Sequence, residues 1–285
     1  MNFISFGEIL FDVFGDSAKL GGAPLNVAAH MTKLGLDGLI ISAVGDDELG
    51  RRALKEVGEI GLSTAGIKIS SNPTGRADIV LVDHSADYTF NYPCAWDDVT
   101  FDSALPETVD IIYFGSLVQR SETSRRSLEK LLSSVKAKIV FFDVNIRKTF
   151  YTDDILLAGL KNATILKVND EEIDLILKVG KADDVRALMK KYSLDMVLLT
   201  LGANGSTLYT KSGEIHQDSH VEKLVDTVGA GDSLSSGFLA TLTRTNDPEL
   251  ALKVGGTLAD FVCGQRGAIP QYDDELKARL KALGV

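Results

Sequence analysis

Cysteine is nearly absent from this chain of 285 residues. Cys94 and Cys263 lie far apart and neither belongs to a C-x-x-C pair, so nothing points to a disulfide framework or a zinc cluster. No apolar run approaches the roughly 18 to 20 residues that a membrane helix needs. The chain also lacks repeats, homopolymer tracts and proline-rich linkers. We therefore expect a folded protein of the reducing cytoplasm.

Positive charge is in deficit. Lys and Arg total 30 against 40 Asp and Glu, a net charge of −10, which argues against a nucleic-acid partner or an anionic membrane. A local basic pocket for a small phosphate compound stays open. The first residues, MNFISFGEILFDV, lack the basic start of a signal peptide and are typical of a strand. The composition, 45% hydrophobic and 25% charged, is that of an ordinary globular protein.

Short β-branched or aromatic runs alternate with amphipathic segments. This alternation is typical of a doubly wound α/β domain and predicts an α/β/α sandwich. The predicted strands are 2–6, 39–44, 110–114, 138–144, 163–168 and 196–200, and the predicted helices include 46–60, 122–135 and 183–192.

Two segments break this alternation, residues 9–20 and 67–99, where alternating and turn residues replace helices. We call them the lid segments and predict that they form one small sheet over a ligand cleft, inserted in a single domain spanning residues 1–285. From Ala230 onward the pattern is mostly helical.

The strongest chemical pattern is DTVGAGDSLSSGFLA, residues 226–240. Gly229, Ala230 and Gly231 stand at a turn where a helix begins, and backbone N–H groups at a helix start form an anion site suited to a phosphoryl group. Asp232 is then either a helix cap, worth about 1 kcal/mol, or the general base that deprotonates an attacking hydroxyl. The small residues before it favour the base, because a cap does not require them.

Two rival phosphate motifs fail. The one Gly-Lys pair, Gly180 and Lys181, is followed by Ala182 and so is not a P-loop. Gly229 and Gly231 are followed by Leu234 where a dinucleotide fingerprint has its third glycine, which disfavours a dinucleotide-dependent oxidoreductase.

A second pattern, GGAPLNVAAHMTKLG, covers residues 21–35. Its glycines would let a small polyol approach the main chain, while Asn26 and the upstream Asp12 could bond sugar hydroxyls. Alone, the stretch would favour a simple helix entry with Gly and Pro as punctuation, which is its commoner use. Residues 21–32 contain no Lys or Arg, which favours a neutral substrate over a phosphorylated one.

The two patterns, in this order, resemble the two signatures of the ribokinase-like carbohydrate kinases, also called the PfkB family, and fructokinases most of all. The resemblance runs from GEILFDVF near the start to GAIP near the end. It implies a ribokinase-like three-layer α/β/α sandwich with a small β-sheet lid. It also implies that Asp232 is the catalytic base and that Gly229, Ala230 and Gly231 form an anion hole.

The resemblance implies further roles. Asp12, Gly22 and Asn26 would hold the sugar. Asn169 and Glu172 match an N-x-x-E pattern that organises Mg²⁺ through water, although the acidic run from 170 to 172 also suits a first helical turn. Arg147 belongs to a D-x-N-x-R triplet with Asp143 and Asn145, and it would meet the nucleotide phosphate, the sugar or only Asp143.

For the nucleotide, the resemblance points to Thr200, Gly202 and Gly205 as the loop that receives ATP, and to Gly267 and Ala268 as the stretch flanking adenine. Asp226 would help to form a potassium site. This chain has Val228 where the family often has a second threonine after the position of Thr227, and the potassium contacts there are largely main-chain carbonyls.

These inferences predict an ATP-dependent, Mg²⁺-requiring kinase for the primary hydroxyl of a neutral monosaccharide, D-fructose first. The alternatives are a 2-keto-3-deoxygluconate kinase, for which Arg76 could face the carboxylate, a ribokinase, and a nucleoside kinase. From another class, a non-catalytic sugar or nucleotide sensor stays open. The lid segments offer strand edges and apolar residues such as Ile79, Leu81 and Phe90, and unprotected edges tend to find a partner. The resemblance implies that this partner is a second copy, in a homodimer that pairs lid to lid.

Three other residues are assigned no chemistry. His216 and His220 lie four residues apart in a segment that is typical of strand and loop, and no third ligand is nearby. This pattern does not favour a zinc site. Trp96 is expected to close the base of the lid or to pack in the core.

Overall fold

The computed structural model describes residues 1–15, 17–82, 85–101 and 105–285, with the backbone alone for residues 79–82 and 85–88. Within these residues the strands are β1 (Phe3–Phe6), β2 (Leu10–Phe14), β3 (Ser17–Gly21), β4 (Gly38–Gly45), β5 (Ile67–Ser70), β6 (Gly75–Val82), β7 (Ser85–Phe90), β8 (Thr108–Gly115), β9 (Lys136–Asp143), β10 (Ile165–Asn169), β11 (Met196–Thr200), β12 (Ser206–Thr210) and β13 (Glu214–Gln217).

Five of the nine described helices begin at a residue whose side chain caps the first turn. Asp47, Thr152, Asp184, Asp247 and Asp273 each accept a bond from a backbone N–H at a helix start. The helices are α1 (Ala23–Lys33), α2 (Glu48–Ile60), α3 (Glu122–Ser134), α4 (Asp153–Asn162), α5 (Ile173–Gly180), α6 (Val185–Tyr192), α7 (Ala230–Thr245), α8 (Pro248–Cys263) and α9 (Asp274–Ala282). Among the described residues, no helix has the length and apolar character to cross a membrane.

A large sheet of nine strands divides the described structure, in the order β13-β12-β11-β10-β9-β8-β1-β4-β5. Its strands are parallel except where β12 and β13 run antiparallel to their neighbours. Adjacent strand residues point to opposite faces, so Phe3 and Ile4 belong to different cores. One core takes in buried residues of α1, α2, α7 and α8, and the other those of α3 to α6. The predicted three-layer sandwich is confirmed.

A smaller sheet has the order β3-β2-β6-β7, with β2 and β6 parallel and the other pairs antiparallel. Strands β2 and β3 come from the predicted segment 9–20, but the prediction for 67–99 is wrong at both ends. Ile67–Ser70 pairs with β4 in the large sheet, because a strand after β4 and α2 completes a parallel crossover. Ala95–Asp98 is a 3₁₀ turn that carries Trp96, fully buried, into the core.

A buried ion pair fastens the chain where it returns from the small sheet. Arg120, after β8, bonds both oxygens of Asp97 at 2.7 and 2.8 Å and lies 3.6 Å from the ring centroid of Trp96. The base of the small sheet is therefore anchored to the core.

Strand β1 lies between β4 and β8, so the chain changes direction across the sheet there. In open α/β sheets, ligands bind beyond the carboxyl ends of the strands at such a switch point. The small sheet follows β1 directly and stands at this edge.

Candidate active site

A cavity of about 1400 Å³ opens at this edge. It exceeds the roughly 300–1,000 Å³ of an ordinary single-ligand pocket and has room for two ligands. The two sequence patterns meet across it. The predicted site residues that line it are Asp12, Gly22, Asn26, Arg147, Asn169, Thr200, Asp226, Gly229, Gly231, Asp232, Gly267 and Ala268.

Helix α7 points its N-terminus into the cavity. Gly229 precedes its first turn with φ of 80°, and a Cβ there would lie 2.6 Å from the Cβ of Ala268, so only glycine fits. Free N–H groups at a helix start carry about half a positive charge. The turn therefore has the backbone shape and the electrostatics of an anion site.

Asp232 stands in that first turn and is half-buried. Its Oδ2 accepts a bond of 2.7 Å from Nδ2 of Asn26, which joins the two predicted segments directly. Burial first, and then repulsion from Asp143, raise the pKa of Asp232 to about 6, against the opposing effects of Asn26, Lys167 and Arg147. A carboxyl of that pKa is mostly ionised at pH 7 and well matched to general-base work.

Lys167 is a site residue that our sequence analysis missed. It lies on β10, and its Nζ donates 2.9 Å to Oδ1 of buried Asp143, whose Oδ2 accepts 2.9 Å from the hydroxyl of Tyr113. A Cβ on Gly231 would lie 3.2 Å from that Nζ, so the cation lies against the anion hole. A lysine inside the apolar strand ILKVN was the signal available in the sequence.

Asn169 and Glu172 bond to each other's backbone. Glu172 N donates to Oδ1 of Asn169 at 2.8 Å, and Asn169 N donates to Oε2 of Glu172 at 3.1 Å. The other oxygen, Oε1, accepts from Ile146 N at 2.7 Å. Burial raises the pKa of Glu172 despite the nearby Lys167. The pair thus shapes the turns after β9 and β10, and its role toward Mg²⁺ stays a prediction.

Arg147 projects into the cavity and is exposed. In the described structure its guanidinium donates to the Ile146 carbonyl at 3.4 Å and makes no bond to Asp143, which bonds Lys167 and Tyr113. The guanidinium still acts at a distance, opposing the rise in the pKa of Asp12, which burial raises first. A cation is therefore available at the cavity wall for a ligand.

Asp226 connects the turn before α7 to the loop at Gly267. Its Oδ1 accepts from Val228 N at 3.1 Å and its Oδ2 from Gly267 N at 3.3 Å. Thr200 reaches the cavity wall, whereas Gly202 and Gly205 are not among the residues that line it. A Cβ on Gly205 would lie 2.0 Å from the carbonyl oxygen of Gln217, so that glycine is required by the adjacent strand. The nucleotide roles of both glycines stay predictions.

His30 ties the sugar-side helix to the same loop. Its Nε2 donates to the Ala268 carbonyl at 2.8 Å, so Nδ1 accepts from the Tyr272 hydroxyl at 2.7 Å. Burial lowers the pKa of His30 to about 4, which keeps this neutral tautomer in place. Ala268 in turn packs against Gly229. Helix α1 therefore supports the anion hole through His30 and holds Asp232 through Asn26.

The described residues contain no group of three or more His, Cys, Asp or Glu side chains able to hold a metal ion. His216 bonds Thr207 and Asp218 at the surface. The acidic side chains of the cavity suit an ion carried mainly by nucleotide phosphates and water, which is how Mg²⁺ commonly binds.

The mostly parallel nine-stranded sheet and the small sheet at its carboxyl-terminal edge form an α/β fold of the ribokinase-like class. The profile of the pfkB family carbohydrate kinases matches residues 4–275. The chain belongs to this family and is a sugar kinase.

The relatives differ in substrate. The chain is 29% identical to a probable fructokinase-5 of Arabidopsis thaliana, covering 94% of this chain and 93% of that one. It is also 29% identical to an aminoimidazole riboside kinase of Salmonella typhimurium, covering 92% and 88%. A fructokinase double mutant from Vibrio cholerae, solved with fructose, ADP and potassium, superposes with a TM-score of 0.82 at 20% identity, covering 99% of this chain and 97% of that one.

Proposed function

We propose that this protein transfers the γ-phosphoryl group of ATP to the primary hydroxyl of a neutral monosaccharide, most favourably the terminal CH₂OH of D-fructose. The observation that carries this proposal is the carboxylate of Asp232 at the start of α7, held by Asn26 on the sugar side of the cavity. We expect the activity in the cytoplasm, because Cys94 and Cys263 are free thiols.

In this reaction the sugar oxygen attacks the γ-phosphorus in line while the bond to the leaving oxygen of ADP breaks. Asp232 accepts the hydroxyl proton. The Ala230 N–H donates to the Thr227 carbonyl at 3.2 Å, so of the three predicted groups the N–H groups of Gly229 and Gly231 would stabilise the charge on the transferring group. Lys167 adds a fixed cation beside Gly231. Asn169 and Glu172 would help to hold Mg²⁺ through water, and the ion would neutralise further charge on the phosphates. Closure of the small sheet would exclude water from this site.

The surroundings of Asp232 support a neutral acceptor. Asp12, Asn26 and the partly ionised Glu8 line the cavity beside it. Their negative charge, which Arg147 on the same wall only partly offsets, would disfavour a sugar that already carries phosphate. Arg76 pairs with Asp78 and is not among the lining residues, which weakens the case for a keto-acid sugar. Ribose and a nucleoside stay as alternatives, because one relative is a riboside kinase. A non-catalytic sensor would have no use for a positioned base.

A panel of sugars with ATP and Mg²⁺ in a coupled ADP-release assay tests the function. We expect D-fructose to give the largest kcat/KM and ribose, 2-keto-3-deoxygluconate and nucleosides to give less. A higher value for another acceptor would reassign the substrate. ADP release at background with every acceptor would contradict a kinase and favour the sensor.

Potassium should activate the enzyme. Asp226 bonds to two loop N–H groups beside the anion hole, and a cation bound by carbonyls of these loops would fix their spacing. Replacing K⁺ by tetramethylammonium at constant ionic strength should lower kcat several-fold. Unchanged activity would contradict the potassium site.

A homodimer through the small sheet is also proposed. Edge strands β3 and β7 are unpaired on one side within the described residues, and Phe14 on β2 is 54% exposed. Phe90 packs against the core, and the side chains of Ile79 and Leu81 lie outside the described part of the chain. Light scattering should report twice the chain mass of 30.7 kDa, and Phe14→Lys should reduce it. A wild-type monomer at working concentration would contradict the dimer.

A further inference from the structure

Glu8 is a carboxyl group of the cavity that the reaction described above does not use. It follows Gly7 at the carboxyl end of the central strand β1, lines the cavity and is 2% exposed. A Cβ on Gly22 would lie 2.4 Å from the carbonyl oxygen of Glu8 and 3.5 Å from its Cγ. The side chain therefore lies directly beneath the glycine predicted to face the sugar.

The Oε2 atom of Glu8 is buried and has no hydrogen-bond partner among the described residues. The two acidic side chains that raise its pKa are themselves bonded: Asp143 to Lys167 and Tyr113, and Asp232 to Asn26. A buried polar atom left unbonded costs about 1–3 kcal/mol. Native proteins tolerate such an atom chiefly where a ligand or water completes it.

The charges around Glu8 make it adaptable. Burial raises its pKa to about 7, Arg147 opposes that rise, and Asp232 and Asp143 add to it. Near neutral pH the group is therefore present both as an acid, which donates, and as a carboxylate, which accepts. A sugar hydroxyl can bond to either form.

We propose that Glu8 binds a hydroxyl group of the sugar from the floor of the cavity and so helps to determine which sugars are accepted. This inference rests on the proposed kinase activity. A second buried acceptor of the same cavity lining, Oδ1 of Asn26, is likewise without a partner in the described structure, so two acceptor atoms of the lining are free for ligand donors. Together they would select a sugar by the positions of its hydroxyl groups as well as by its shape.

Glu8→Ala and Glu8→Gln test the proposal, with D-fructose as the probe. Alanine removes the contact, and we expect the KM for the sugar to rise about 10-fold or more, the worth of one hydrogen bond to a charged group. The KM for ATP should stay unchanged and kcat should change less. Glutamine keeps the shape and both bonding functions, so it should restore most of the sugar affinity.

Glu59→Ala is the matched control, because Glu59 lies at the rim of the same cavity and pairs with Lys55 on its own helix. It should leave both KM values unchanged. Monodeoxy analogues of D-fructose then locate the contact: for one analogue, wild type and Glu8→Ala should have the same KM. Thermal unfolding of each variant checks that it is folded.

The outcomes separate two failures. If the wild type phosphorylates no acceptor, the proposed function is wrong. If the wild type is active and folded Glu8→Ala keeps its sugar KM, or loses kcat equally with every analogue, the assignment of Glu8 to sugar binding is wrong while the kinase stands.

Discussion

Replacing Asp232 with asparagine should reduce kcat by about 10² to 10⁴, the usual worth of a positioned general base. Asparagine has the same shape, and its side-chain oxygen can still accept the bond from Asn26. The sugar would therefore bind almost as before, and the loss should appear in kcat with little change in KM. Steady-state kinetics with the best acceptor of the panel measures both.

The matched control is Asp274→Asn, which changes an exposed aspartate in the first turn of α9. Both substitutions remove a negative charge from a helix start, but only Asp232 faces the cavity. Asp274→Asn should keep wild-type kinetics. Near-full turnover of Asp232→Asn would remove the base from the mechanism.

The pH dependence gives an independent check of the same group. Asp232 must be ionised to accept a proton, so wild-type kcat/KM should rise with pH through about 6 and level off above it. Glu8 titrates in both proteins, so the difference between the wild-type and Asp232→Asn profiles isolates Asp232. Profiles of the same shape in both proteins would contradict the assignment.

Replacing Lys167 with methionine should destabilise the fold by about 3–5 kcal/mol, the cost of breaking a buried ion pair from one side. Asp143 is fully buried, and only the Tyr113 hydroxyl would remain to bond its charge. Activity should also fall, because the cation beside the anion hole disappears. Urea unfolding and kcat measure the two effects separately.

Lys138→Met is the control for this result. Lys138 also projects from a strand and pairs with an aspartate at 2.7 Å, but its side chain is 79% exposed. Its loss should cost less than about 1 kcal/mol, as for other surface pairs. The double variant Lys167→Met with Asp143→Asn should regain part of the lost stability, because no buried charge is left unpaired. A cost for Lys167→Met as small as that of the control would contradict the buried pair.

Local patterns predicted much of the fold. The strands 39–44 and 196–200 were found within a residue or two of β4 and β11, because buried parallel strands are short continuous apolar runs. The prediction for the lid segment 67–99 was wrong at Ile67–Ser70, because the alternating sequence IKIS suits an edge strand of either sheet equally well. Its partner β4 was decided by the crossover through α2, which is a tertiary constraint.

The site was predictable where chemistry depends on local backbone shape. The turn before Asp232 was predicted from the three small residues Gly229, Ala230 and Gly231. The positive φ of Gly229 explains why a glycine stands there. The sequence did not predict Glu8 or Lys167 as site residues, because both are placed in the site by neighbours that are distant in sequence. Lys167 meets Asp143 and Glu8 lies beneath Gly22 only once the sheet has brought strand ends together.

The identity of the product tests the central claim most directly. Wild-type protein is incubated with ATP, Mg²⁺ and D-fructose, or the best acceptor of the panel, and the product is examined by ³¹P and ¹³C NMR. We predict one phosphate ester per ADP, on a primary carbon of the sugar, and formed far more slowly by Asp232→Asn. ADP without a sugar ester, or an ester on a secondary carbon, would contradict the account.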